Sequence, residues 1–70
     1  MENDIELRRG KHDLTQQDLA DALDVTRQTI GAIEQGRYDP RLELAFDLAE
    51  FFDTTVDELF WREGDSPGEE

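Results

Sequence analysis

Seventy residues without a cysteine leave room for one small domain, with no disulfide staple and no thiol chemistry. Nineteen acids against seven bases give a net charge of −12, which taken alone argues against nucleic acid, because an acidic surface repels phosphate. A single histidine, His12, cannot build a histidine metal site, no apolar run reaches the roughly 18 residues of a membrane span, and the acidic start Met1-Glu2-Asn3-Asp4 lacks the basic lead of a signal peptide.

These exclusions predict no metal, no cofactor and no membrane partner, and a cytoplasmic location. The distribution of charge says more than its sum. Residues 43–70 hold ten acids and one base, Arg62, whereas residues 1–42 hold nine acids and six bases: Arg8, Arg9, Lys11, Arg27, Arg37 and Arg41. The bases are thus gathered in the first part of the chain, where one surface can share them.

In chain order the pattern predicts five short helices and no strand. Residues 4–12 read as the first, although Ile5 and Leu7 are spaced by two, which suits a helix poorly. Thr15 opens the second and Asp18 follows three positions later, the spacing of a reciprocal cap. Leu19, Ala20 and Leu23 form its buried stripe. Asp24-Val25 makes a tight connection, and Thr26 caps a third helix with Ile30 and Ile33 inward. Gly36 stands where a left-handed closing residue is wanted, and Gly36-Arg37-Tyr38-Asp39-Pro40 is a loop.

The fourth helix, residues 42–52, shows Leu42, Ala45, Leu48, Ala49 and Phe52 as one stripe, with Glu43, Asp47 and Glu50 opposite. Leu44, Phe46 and Phe51 widen its apolar arc to roughly 220°, where one core needs little more than about 100°. Thr55-Val56-Asp57-Glu58 begins a short fifth helix that adds Val56, Leu59 and Phe60 to the core. The domain is therefore expected over residues 1–61, with residues 62–70 as an acidic, disordered tail.

Two capped helices joined by a very short turn are the layout of a helix-turn-helix, in which the second helix enters the DNA major groove by its N-terminus. With Ile30 and Ile33 inward, the third helix turns Gln28, Gly31, Ala32 and Gln35 outward, flanked by Arg27. Gln28 can pair with an adenine edge through two hydrogen bonds; Arg27 can do the same with guanine, or hold a phosphate; Ala32 can touch a thymine methyl. No acid lies on this outward face, and Glu34 points sideways toward the first helix. Gly31 and Ala32 are small enough for deep seating, at the cost of about 1 kcal/mol of helix propensity for Gly31 relative to alanine.

The strings Leu14-Thr15-Gln16-Gln17-Asp18-Leu19-Ala20, Val25-Thr26-Arg27-Gln28-Thr29-Ile30 and Ile33-Glu34-Gln35-Gly36-Arg37-Tyr38-Asp39-Pro40 closely resemble the Cro/phage-repressor-like helix-turn-helix regulators of the xenobiotic-response-element type. The resemblance covers about residues 5–60. It implies an all-α, five-helix, lambda-repressor-like domain that binds double-stranded DNA and regulates transcription. It also implies that Gln16, at the start of the second helix, bonds phosphate and sometimes base, that Thr26, Arg27, Gln28 and Thr29 read the DNA, and that Gln35, Arg37 and Tyr38 contact its backbone; Gln17, beside Gln16, is a further candidate DNA contact. Arg41 completes the basic loop. Arg9 and Glu34 match a pair that joins the first helix to the third. Three positions depart from the pattern, Gly31 being one. Arg8 stands where an apolar residue is usual, and Arg41 stands where a capping serine is common, which leaves the cap to Asp39.

The surplus apolar surface predicts a homodimer through Leu44, Phe46, Phe51 and Trp61, which would set two reading helices about 34 Å apart. The acidity and the near-absence of lysine predict a protein from a salt-loving source: at about 1 M salt the Debye length is about 3 Å, so like charges cease to repel. The alternative is an acidic surface kept for solubility or used to bind a protein partner. Two other functions fit the same fold, an antitoxin-type autoregulator and a protein-binding adaptor. An enzyme is not expected, since no nucleophile–base pair, metal-ligand spacing or phosphate loop is present.

Overall fold

The computed structural model describes residues 1–64. Five helices follow one another: α1 (Ile5–Lys11), α2 (Gln16–Leu23), α3 (Arg27–Glu34), α4 (Leu42–Phe51) and α5 (Val56–Leu59). The fold is the all-helical one expected, with one addition. Strand β1 (Glu2–Asn3) pairs antiparallel with strand β2 (Phe60–Trp61), Glu2 opposite Trp61 and Asn3 opposite Phe60. Two residues per strand carry no alternation to read, so this ribbon has no sequence signature. Residues 65–70, most of the expected tail, lie outside the described residues. Among the described residues no helix is long and apolar enough to cross a membrane.

The helix starts follow their side chains. The Asp18 amide donates to Thr15 Oγ1 at 3.0 Å, and the Thr15 amide donates back to Asp18 Oδ2 at 3.0 Å, so two otherwise unpaired donors are satisfied. The Thr15 backbone amide first, and then the Thr15 hydroxyl, hold the Asp18 carboxyl below its ordinary pKa. Thr26 Oγ1 accepts the Thr29 amide at 3.1 Å and so opens α3. Helix α4 corrects one expectation: its N-cap is Arg41 and no side chain caps it, while Asp39 lies 3.4 Å from the Met1 ammonium instead. Thr55 precedes α5 without a side-chain cap as well; Thr54 Oγ1 bonds Glu58 at 2.8 Å.

The helix ends show a different economy. Asp13, Asp24 and Asp53, each just beyond α1, α2 and α4, adopt left-handed backbone angles with φ of 61°, 59° and 57°. Gly36 does the same after α3 with φ of 77°. Aspartate tolerates this region better than most residues, though less well than glycine. The chain then folds back: the Leu14, Val25, Arg37 and Thr54 amides bond the carbonyls of Arg9, Ala20, Ala32 and Ala49 at 2.8–3.0 Å.

All five helices and β2 contribute to the core, which contains Ile5, Leu19, Ala20, Ile30, Ile33, Leu44, Ala45, Leu48, Ala49, Phe52, Leu59 and Phe60. Leu14, Leu23, Val25 and Val56 pack half-buried around it. The poor spacing in α1 resolves simply: Ile5 is buried, Leu7 is 59% exposed, and Arg8 pairs with Asp4 at 2.9 Å rather than entering the core. In α4 the buried stripe is Leu44, Ala45, Leu48 and Ala49, continued by Phe52. Leu42 is 64% exposed, against expectation, and Leu44 occupies the inward place. Leu44, anticipated at a dimer interface, is only 8% exposed and packs in the monomer core. His12 lies at the exposed end of α1, its ring 5.8 Å from that of Phe52.

Candidate nucleic-acid interface

The turn between α2 and α3 is Asp24-Val25-Thr26, and it sets the two helices against each other through Leu19, Ala20, Ile30 and Ile33. With Ile30 and Ile33 buried, the outer side of α3 carries Arg27, Gln28, Gly31, Ala32 and Gln35. These residues line a concavity of about 390 Å³ together with Gln16 from the start of α2 and Arg37 from the turn after α3. Its lining contains two arginines and three glutamines and no acid. In a chain of net charge −12, an acid-free lining with two arginines spares a phosphate-bearing partner local repulsion.

Four side chains beside this surface form one connected series. Arg9 Nε donates to Glu34 Oε2 at 2.9 Å and Nη2 donates to Oε1 at 3.3 Å, while Nη1 reaches the Leu14 carbonyl at 2.9 Å. Gln16 Nε2 donates to the same Glu34 Oε1 at 2.9 Å. Arg27 Nη1 in turn donates to Gln16 Oε1 at 3.3 Å. The Glu34 side chain is 4% exposed and that of Arg9 16%, so the ion pair sits beneath the concavity. The hydrogen bond with Glu34 holds the Arg9 proton above the ordinary guanidinium value, against the opposing effect of burial. The carboxylate is thereby turned away from the outer face and neutralised.

Gln16 lies across α3 beside Gly31. A Cβ at Gly31 would sit 3.7 Å from Gln16 Nε2 and 3.9 Å from Oε1, which is ordinary contact. The protein itself therefore accommodates alanine there. Arg37 is held by its neighbour, Nε donating to Gln35 Oε1 at 2.8 Å.

The remaining residues anticipated from sequence fall around this centre. Gln17 is exposed on α2 but its amide bonds Asp21 at 2.8 Å and does not join the concavity. Thr26 is exposed at the N-terminus of α3, and its hydroxyl and that of half-buried Thr29 lie 2.8 Å apart. Ala32 is half-buried and lines the concavity; Tyr38 and Arg41 are exposed in the loop beyond it. Sequence reasoning placed Gln16 near phosphate and Glu34 beside Arg9, but missed that Gln16 bridges Glu34 and Arg27. Nothing in the spacing of three residues on two helices announces that contact.

The residues anticipated for a second copy separate. Phe46 is 57% exposed and lies next to Leu42 one turn earlier on α4. Leu42, Val56 and half-buried Trp61 line an apolar groove of about 520 Å³ with Met1, Pro40 and Phe60. Phe51 is exposed in a different place, beside Ala22 and Leu23, with its ring edge-on to Phe52 at 5.1 Å.

Comparison with known proteins agrees with the geometry. Residues 5–59 match the helix-turn-helix family. An HTH-type transcriptional regulator of Methanocaldococcus jannaschii is 51% identical over 65 residues, 93% of this chain and 98% of that protein. The HTH-type transcriptional regulator YgzD of Bacillus subtilis is 36% identical over 63 residues, 90% and 96% of the two chains. The regulator AnsR of the same bacterium is 43% identical over 58 residues, 83% of this chain and 49% of AnsR. A match over α1 to α5, with an acid-free outer face on α3, establishes that the chain belongs to the Cro/C1-type helix-turn-helix family of DNA-binding transcriptional regulators.

Proposed function

We propose that the chain is a sequence-specific regulator that binds DNA as a homodimer, each copy laying α3 in the major groove with its N-terminal end leading. The observation that carries this reading is the concavity of Gln16, Arg27, Gln28, Gly31, Ala32, Gln35 and Arg37, free of acids in a strongly acidic chain. Arg27 and Gln28 meet base edges, and Ala32 meets a thymine methyl. Thr26 and Thr29 flank them at the reading end, and Gln16, Gln17, Gln35, Arg37, Tyr38 and Arg41 meet the DNA backbone around them.

Sites selected from random DNA test the reading directly. The variant Arg27→Ala/Gln28→Ala loses preference for the selected site, each lost two-bond contact being worth about 1–3 kcal/mol. Undiminished preference in that variant defeats the proposal.

The second copy docks on the face formed by Leu42, Phe46, Val56 and Trp61. Leu42 and Phe46 are four positions apart, hence adjacent on α4, and both are exposed; Leu42 lines the apolar groove, and Phe46 lines a second concavity that shares Val56 with it. Sedimentation of wild type and Phe46→Glu distinguishes the states: a dimer is expected for the first and a monomer for the second. The same reading has the protein working at molar salt, where its acid faces no longer oppose DNA or each other.

A further inference from the structure

The segment ahead of α1 reaches the far end of α3. Asn3 Nδ2 donates to the Ile33 carbonyl at 2.8 Å, and Asn3 Oδ1 accepts the Ile5 amide at 3.1 Å. One side-chain amide therefore joins the start of α1 to the end of the reading helix. The Ile33 carbonyl also accepts the Gly36 amide at 3.0 Å, so both its lone pairs are in use. The backbone presses on the same turn: a Cβ at Gly36 would come within 3.3 Å of the Met1 carbonyl oxygen. β1 is itself anchored by β2, and the Asp4 amide bonds the Leu59 carbonyl at 3.3 Å. Gly36 leads directly into Arg37, whose amide closes on the Ala32 carbonyl at 3.0 Å.

We propose that Asn3 is a positioning residue for the turn that follows α3, holding Arg37 where it meets a DNA phosphate. The inference rests on the DNA-binding reading above. Without the Asn3 amide, the Ile33 carbonyl loses one partner and the Gly36–Tyr38 turn gains freedom, so that Arg37 no longer holds its phosphate. Base reading at the opposite end of α3 is untouched. The loss is therefore the same on every DNA sequence.

The variant Asn3→Ser keeps a hydroxyl that can serve the Ile5 amide but is too short to reach Ile33. Wild type and variant are compared by amide hydrogen exchange without DNA, and by binding to the duplex selected by wild type and to a base-substituted one, over a series of KCl concentrations. Exchange at Gly36 and Arg37 rises while that of Leu48 in the core does not. Affinity falls by about fivefold on both duplexes, the scale of one hydrogen bond. The slope of log K against log salt falls by about 1, the mark of one lost phosphate contact. In an Arg37→Ala background the same change costs no further affinity.

Unchanged exchange at the turn, unchanged affinity, or a loss confined to the selected duplex each overturns the proposal. If Asn3→Ser loses core protection, Asn3→Thr replaces it, since its uncharged hydroxyl can likewise serve the Ile5 amide, is too short to reach Ile33, and its β-branched side chain suits strand β1. A wild-type chain that binds no duplex defeats the DNA reading and the role of Asn3 in it together; binding by wild type with an unaltered Asn3→Ser defeats the role of Asn3 alone.

Discussion

Three hydrogen bonds end on the Glu34 carboxylate, two from Arg9 and one from Gln16. Removing it leaves a guanidinium 16% exposed with one remaining carbonyl partner, so Glu34→Ala should destabilise the fold by about 3 kcal/mol in denaturant titration. Replacing both charges with apolar residues, Arg9→Met/Glu34→Leu, should recover most of that loss, because neither partner is then left buried alone. Recovery of stability without recovery of DNA binding would show that the pair orients Gln16 rather than merely holding the fold. Gly31 offers the opposite case. Its surroundings accept a methyl group, so Gly31→Ala should raise stability by about 0.5–1 kcal/mol in the same titration. Its affinity for selected DNA should fall, because the added methyl occupies the floor of the concavity.

Helix α2 carries a cap whose strength depends on pH. The Thr15 contacts lower the pKa of Asp18 in the folded chain, so the folded state binds its proton less readily than the unfolded state does. The stabilisation is present at neutral pH and is lost as pH falls through the depressed value, below the ordinary carboxylate pKa of about 3.9. Asp18→Asn should therefore melt below wild type at pH 7, and the gap in Tm should close on acidification below about pH 4. Such caps were legible in the sequence because they are local: Thr15 with Asp18, and Thr26 with Thr29, need only a spacing of three. Helix α4 was legible as a helix but not in its rotation, since an apolar residue on almost every side leaves the choice between Leu42 and Leu44 to tertiary packing. The β1–β2 ribbon and the Asn3–Ile33 contact join residues far apart in the chain, and no local pattern encodes them. For the same reason the outer face of α3 could be listed from its own sequence, while of the side chains that brace it only the Arg9–Glu34 pair was anticipated, through the family resemblance, and the Gln16 bridge was not.

At the scale of the whole molecule the charge is not only plentiful but awkwardly placed. Asp13, Asp24 and Asp53 sit at the carboxyl ends of α1, α2 and α4, where the helix dipole already presents negative charge. Each such placement costs about 0.3–1 kcal/mol at low ionic strength and is screened by salt. Stability measured against KCl should rise toward molar salt. The variant Asp13→Asn/Asp24→Asn/Asp53→Asn, which keeps residues tolerant of left-handed angles, should start higher and rise less. A wild type equally stable at 20 mM and at 2 M KCl would rule out the salt-adapted reading. Salt also weakens every phosphate contact, so the energy of binding must come from elsewhere. The series from Arg9 through Glu34 and Gln16 to Arg27 supplies part of it. Immobilising a long side chain at an interface costs about 0.5–1.5 kcal/mol, and here Gln16 is tethered at both ends of its amide before any partner arrives. On the proposed reading the entropy is lost on folding rather than on association, so the free protein already presents the shape proposed to meet DNA.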